Sequence, residues 1–161
     1  MRNLVWLMVV VLAAVVIRAE VSLGQKVEDA IRAAEPDWKC IHGLLEASPT
    51  VPSEKRLLIS RWEHRSTNGQ LENVVLWMFH VESRTDAEIF LAPEREGKLA
   101  SGWKVHPYSM GDEAYLSKYS NGQWYEITFR KGMVVVEVKS QSSELVERFA
   151  KYAANQIPAR Q

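Results

Sequence analysis

The sequence predicts an α+β fold: an antiparallel sheet built from an Asn-Gly hairpin and a three-stranded meander, with three helices packed mainly on one face. Three observations predict it. Asn68-Gly69 and Asn121-Gly122 each lie between alternating apolar segments, the strongest short-range sign of a β-hairpin. The stretch from Tyr125 to Ser140 alternates strictly about Lys131-Gly132, as half-buried strands do. Helical apolar spacing precedes, separates and follows these β groups. Antiparallel runs interrupted by helices argue for α+β rather than for a parallel sheet.

Each element has its own signal. Ser22 with Gln25 makes a capping-box pattern, and Val27, Ala30, Ile31 and Ala34 recur at helical spacing until Pro36 stops them. Trp38 to Leu45 reads as a strand, and Ala47 to Lys55, with Pro49 and Pro52, reads as a loop. With Asn68-Gly69 as a two-residue turn, Leu57–Ser66 pairs with Leu71–Glu82. Arg65 then faces Glu72, Trp62 faces Val75 and Leu58 faces Phe79. Thr85-Asp86 caps a helical stretch containing Ala87, Phe90 and Leu91, which Pro93 ends or restarts at Glu94.

In the meander, Asn121-Gly122 joins Ala114–Tyr119 to Gln123–Arg130, and Lys131-Gly132 leads on to Met133–Ser140. That turn choice puts Phe129 opposite Val134, Ile127 opposite Val136 and Tyr125 opposite Val138, with Ala114 and Leu116 on the same core face. Ser143 caps the closing helix, whose apolar stripe is Leu145, Val146, Phe149, Ala153 and Ile157 before Pro158.

Composition removes several function classes. The chain has 161 residues, 47% hydrophobic and 25% charged, which excludes disorder and coiled coil. Twenty basic and twenty acidic side chains cancel, so no net charge draws it to nucleic acid or anionic lipid. The single cysteine, Cys40, excludes a disulfide framework and a Cys-only zinc site. It reads as a small buried hydrophobe, with an intermolecular disulfide or a reactive thiol as alternatives.

Arg2 followed by the 14 apolar residues Leu4 to Ile17 reads as a signal peptide, too short for a transmembrane span. Ile17-Arg18-Ala19 places cleavage after Ala19. Residues 20–161 then form one extracytoplasmic domain, periplasmic or secreted, with membrane attachment only if the segment stays uncleaved. A domain of that size folds without disulfide or metal.

Few residues carry recognisable chemistry. The sequence holds no Gly-x-Ser-x-Gly elbow, no phosphate-binding glycine loop and no His-Glu-x-x-His pair. Catalytic residues, metal and cofactor are all read as none. His64 comes nearest to a metal ligand and would need His42 or His106; Glu63 and His80 fall on the opposite face of the hairpin in the expected register. Glu126 and Glu137 oppose each other on the outer face of the meander. They read as solvated carboxylates bridged by Lys118 or Lys139, with acid–base chemistry through one raised pKa as the alternative. Tyr115, Tyr119 and Trp124 alternate away from the core and form a partly exposed aromatic strip, the best contact surface in the sequence. Their alternative role is to stabilise the hairpin alone.

The stretch Gly111-Asp112-Glu113-Ala114-Tyr115, the run Phe129-Arg130-Lys131-Gly132-Met133-Val134-Val135-Val136 and the helix to Ile157 resemble a recurring C-terminal pattern. It occurs in exported bacterial lipoproteins and in extracytoplasmic sensor domains of the kind attached to mycobacterial receptor kinases. The resemblance covers about 45 of the 161 residues. Met133 stands where that pattern often has Asn, and no lipobox cysteine is present. It implies an envelope-located α+β domain and carries over no catalytic residue. The functional expectation is a non-enzymatic domain binding a small molecule or an envelope protein. The alternatives are an exported hydrolase using His64, His80, Glu126 or Glu137, and a structural envelope component.

Overall fold

A computed structural model describes residues 23–41 and 55–159. The proposed signal segment, the continuation of the Trp38 strand beyond Ile41 and the loop before Lys55 lie outside the described residues. Three helices and seven strands follow in the order α1 (Leu23–Ala34), β1 (Lys39–Ile41), β2 (Lys55–Arg65), β3 (Leu71–His80), α2 (Arg84–Ala100), β4 (Lys104–Pro107), β5 (Glu113–Lys118), β6 (Tyr125–Lys131), β7 (Val134–Ser140) and α3 (Ser143–Gln156). The strands form one antiparallel sheet ordered β1-β2-β3-β7-β6-β5-β4. This is the expected α+β class. No helix among the described residues is long and apolar enough to cross a membrane.

Alternation divides the sheet into two unlike faces. Trp62, Val74, Leu76, Met78, Ile127, Phe129, Val134, Val136 and Val138 point to one face, where α1 and α3 cover them with Val27, Ile31, Val146 and Phe149. The odd-numbered Val135 points the other way, to a smaller cluster with Ala87 and Leu91 of α2 and with Tyr115.

The turns decide the registers. Among the described residues positive φ occurs only at glycine, so neither Asn68 nor Asn121 takes the left-handed conformation a two-residue type I′ turn requires. The first loop therefore holds three residues, with Gly69 at φ 83° and the Ser66 N–H donating to Gln70 O at 3.0 Å. Three residues in place of two shift the pairing by one. Trp62 faces Val74 and His64 faces Glu72, which corrects the expected Trp62–Val75 and Arg65–Glu72 pairs. Val74, Leu76 and Met78 enter the core, while Val75, Trp77 and Phe79 face α2's side of the sheet.

At Asn121-Gly122 the loop closes between Tyr119 and Trp124, so it gains one residue on each side and the expected register survives from Glu113↔Arg130 to Lys118↔Tyr125. The last turn uses Gly132-Met133, with Gly132 at φ 61°, in the position where a type II′ turn needs glycine. The pairs become Phe129↔Val136 and Ile127↔Val138, a two-residue correction that leaves every side chain on its expected face.

Two helix starts differ from expectation. Ser83, not Thr85-Asp86, caps α2, accepting from the Asp86 N–H at 3.1 Å, and Ser142 rather than Ser143 caps α3. Helix α2 also runs unbroken through Pro93. Proline deprives the Ile89 carbonyl of its helical donor, but Ile89 is 63% exposed and water can take that bond. The buried stripe Ala87, Leu91 and Lys98 holds both halves of the helix to the sheet.

Candidate functional site

The polar face of the meander is covered, not solvated. Strand β6 alternates Ile127 and Phe129 toward the main core with Glu126, Thr128 and Arg130 toward α2, and all three polar residues are buried. Lys98, one turn after Glu94 on α2, reaches into them. Its ammonium ion-pairs with Glu126 and with Glu94 at 2.7 Å, and lies 3.3 Å from the Thr128 hydroxyl and 3.4 Å from the Tyr115 hydroxyl. Thr128 donates to Glu126 at 3.1 Å. The neighbouring Arg130 is held by Asp112 at 3.1 Å and Glu88 at 3.6 Å.

Glu137 completes the cluster. It is the cross-strand partner of both Thr128 and Trp77, so it sits diagonal to Glu126, and carboxylate oxygens of Glu94, Glu126 and Glu137 lie within 4.8 Å of one another. That spacing suits a cation, and the Lys98 ammonium supplies one. Burial, followed by the negative charge of Glu126, raises the Glu137 carboxyl to about 8. Burial works against the charge on Lys98, but the Glu126 carboxylate beside it wins and holds the ammonium well above the ordinary lysine value. Burial likewise pushes the Tyr115 phenol up. The expected solvated pair bridged by Lys118 or Lys139 is corrected: Lys98 pairs with Glu126 and Glu94 and leaves Glu137 beside them, and Lys139 lies instead over the rings of Trp103 and Trp124, 5.1 and 5.5 Å from their centroids.

Tyr115 is only 4% exposed, so the continuous, partly exposed strip of Tyr115, Tyr119 and Trp124 is also corrected. Two separate aromatic groups replace it. Tyr119 packs on Trp103 at 5.2 Å, beside Trp124 and Lys139 at the open end of β4–β6, and both Tyr119 and Trp124 are half-buried. Tyr115 lies beneath α2 and lines a cleft of about 330 Å³ between that helix and strands β4 and β5. Leu99, Val105, Pro107 and Ala114 make the rest of the wall apolar, with Arg95 and Glu113 as its charged members. A mostly apolar concavity with few polar groups is the usual form of a small-molecule site.

The histidines separate. His64 and His80 share the α1/α3 face, correcting their expected opposition, but stand at opposite ends of the hairpin. The His64 Nδ1 lies 3.1 Å from Glu72 and its ring stacks on Trp38 at 5.3 Å. His64 lines an open cavity of about 470 Å³ with Asp37, Lys39, Glu63 and Arg65. His106 is exposed on edge strand β4, and His42 lies outside the described residues. Cys40 is half-buried on β1 opposite Trp62, and burial followed by the Glu28 charge raises its thiol above the ordinary cysteine value, which disfavours the reactive thiolate.

Sequence reasoning missed Glu94, Lys98 and the role of α2. The available signal was Glu94-x-x-x-Lys98 in phase with Ala87 and Leu91, which only a helix continuous through Pro93 brings into line. No family model, no curated protein and no solved structure matches the chain. The reading of the site rests on its own geometry.

Proposed function

We propose that this chain is an exported envelope domain that binds a small molecule in the cleft between α2 and β4–β5 and performs no chemistry on it. The observation that carries the reading is the cleft itself: an apolar wall of Leu99, Val105 and Pro107 over a Tyr115 floor. Behind that floor Lys98 is paired with Glu94 and Glu126 and bonded to Thr128, as expected of a structural cluster rather than of a nucleophile awaiting substrate. The cleft favours a small, largely apolar or aromatic ligand with a polar end near Arg95 or Glu113.

A thermal-shift screen of small metabolites tests this on the wild type and on Leu99→Arg. Leu99 is 52% exposed, so the variant obstructs the cleft at little cost in stability. Hits lost in Leu99→Arg support the reading; hits that persist move binding elsewhere and overturn it. Export rests on Arg2, the apolar run and Ala19, and mass spectrometry of the extracytoplasmic fraction reads it directly. A chain beginning at Glu20 supports cleavage, and one retaining Met1 overturns it.

The hydrolase alternative draws on one observation, the His64–Glu72 pair beside an open cavity. A carboxylate that orients one imidazole nitrogen leaves the other available as a base. Turnover of an ester panel that disappears in His64→Ala would establish it and displace the binding reading.

A further inference from the structure

We propose that α2 is held on the sheet by a proton-linked latch: Glu94, Glu126 and Glu137 close around the single ammonium of Lys98, and the cluster docks the helix most firmly while it carries one extra proton. The charges in the cluster do not balance. Three carboxylates within 4.8 Å of one another face one lysine. With every group ionised the cluster would hold two uncompensated negative charges beneath α2, with Glu126 buried, Glu137 half-buried and Glu94 reaching toward solvent, where charge is poorly solvated.

Among the described residues no other cation closes the gap. The groups facing Glu137 are Glu94 and Lys98 from α2, Tyr115 from β5, Glu126, Thr128 and Arg130 from β6, Lys139 from its own strand and Trp77 from β3. Arg130 is engaged by Asp112 and Glu88. Lys139 lies over Trp103 and Trp124, and its pull on the Glu137 carboxyl is smaller than the opposing effects of burial and Glu126. Arg61, on the more distant β2, is paired with Glu63 at 2.7 Å. A proton is the remaining means of compensation. Glu137 is the group positioned to hold it, because Lys98 bonds directly to the other two carboxylates, and its raised carboxyl agrees.

Helix α2 is the element that responds, since Glu94 and Lys98 are its own residues while Glu126 and Glu137 belong to the sheet. Undocking returns Glu137 to water and to an ordinary carboxyl near 4.5, against about 8 when docked. Between those values the undocked state has released a proton that the docked state keeps, so rising pH favours undocking; above about 8 both states are ionised and the dependence ends. Lys98 stays charged throughout this window. Arg95 and Leu99 of the same helix wall the cleft, so the latch also governs the shape of that wall, although it stands or falls without the ligand-binding reading.

Amide hydrogen exchange on the intact protein from pH 5 to 9.5 tests the latch, once the intrinsic base-catalysed rate is divided out. The opening constant of residues 90–100 is expected to rise by about tenfold per pH unit up to about 8 and then level, with β7 remaining protected. Glu137→Gln, near-isosteric and neutral, is expected to keep α2 protected at every pH and abolish the slope. Glu126→Gln removes the neighbouring negative charge and is expected to end the slope at a lower pH. An opening constant flat from pH 5 to 8 in the wild type overturns the proposal, as does an unchanged slope in Glu137→Gln.

Discussion

Lys98 on α2 and Glu126 on β6 form an ion pair whose side chains are 8% and 7% exposed. The pair crosses from helix to sheet, and its desolvation is offset only while both partners and their hydrogen bonds to Glu94 and Thr128 are present. Removing one partner is expected to cost far more than removing both. By urea unfolding, Lys98→Met should lose about 3–5 kcal/mol, and the double variant Lys98→Met/Glu126→Gln clearly less than that single loss. Additive losses would show that the two residues act independently.

Global stability should decline as pH rises from about 4.5 to about 8, apart from other titrating groups, because folded Glu137 keeps a proton that the unfolded chain releases. One proton sets a slope of at most about 1.4 kcal/mol per pH unit. Denaturant midpoints at half-unit intervals read it, and Glu137→Gln should remove that part of the slope. A wild type and variant with parallel curves would contradict the assignment of the proton to Glu137.

Two glycines with positive φ should respond unequally to alanine. A Cβ at Gly69, φ 83°, meets nothing within 4 Å, whereas one at Gly111, φ 61°, would stand 2.3 Å from the Arg130 carbonyl oxygen. Gly69→Ala should therefore cost only the left-handed backbone strain, about 1 kcal/mol. Gly111→Ala adds a backbone clash where the Asp112 N–H donates to that same carbonyl at 2.7 Å, and should cost about 3 kcal/mol or more. Thermal unfolding of the two variants side by side settles the order.

Aromatic truncation should separate the two ends of the molecule. Phe149 on α3 is fully buried and contacts the rings of Trp38, Trp62 and Tyr152, so Phe149→Ala should lose about 3–5 kcal/mol. Trp124 is half-buried and gains chiefly the contact with Lys139, so Trp124→Ala should lose about 1 kcal/mol. A comparable loss at both positions would mean that the Trp103–Tyr119–Trp124 group acts as a second core.

The sequence by itself determined the α+β class, the order of its helices and of every strand except the edge strand β4, and the main core face of the meander, because period-2 and period-3.6 spacing are local properties of the chain. It also marked both Asn-Gly loops, but not how many residues each contains. That number depends on whether asparagine takes positive φ, and a symmetric addition at Asn121-Gly122 preserved the register while a single extra residue at Asn68-Gly69 moved it. Only the tertiary structure decided the state of Tyr115, Glu126 and Glu137. Alternation places them away from the main core, and a polar residue pointing away from one core reads as solvated unless a second layer covers it. That layer is α2, kept whole through Pro93 by Ala87, Leu91 and Lys98. The ammonium that makes burial of the carboxylates tolerable comes from Lys98, 28 positions before Glu126 in the chain, a pairing no local spacing encodes.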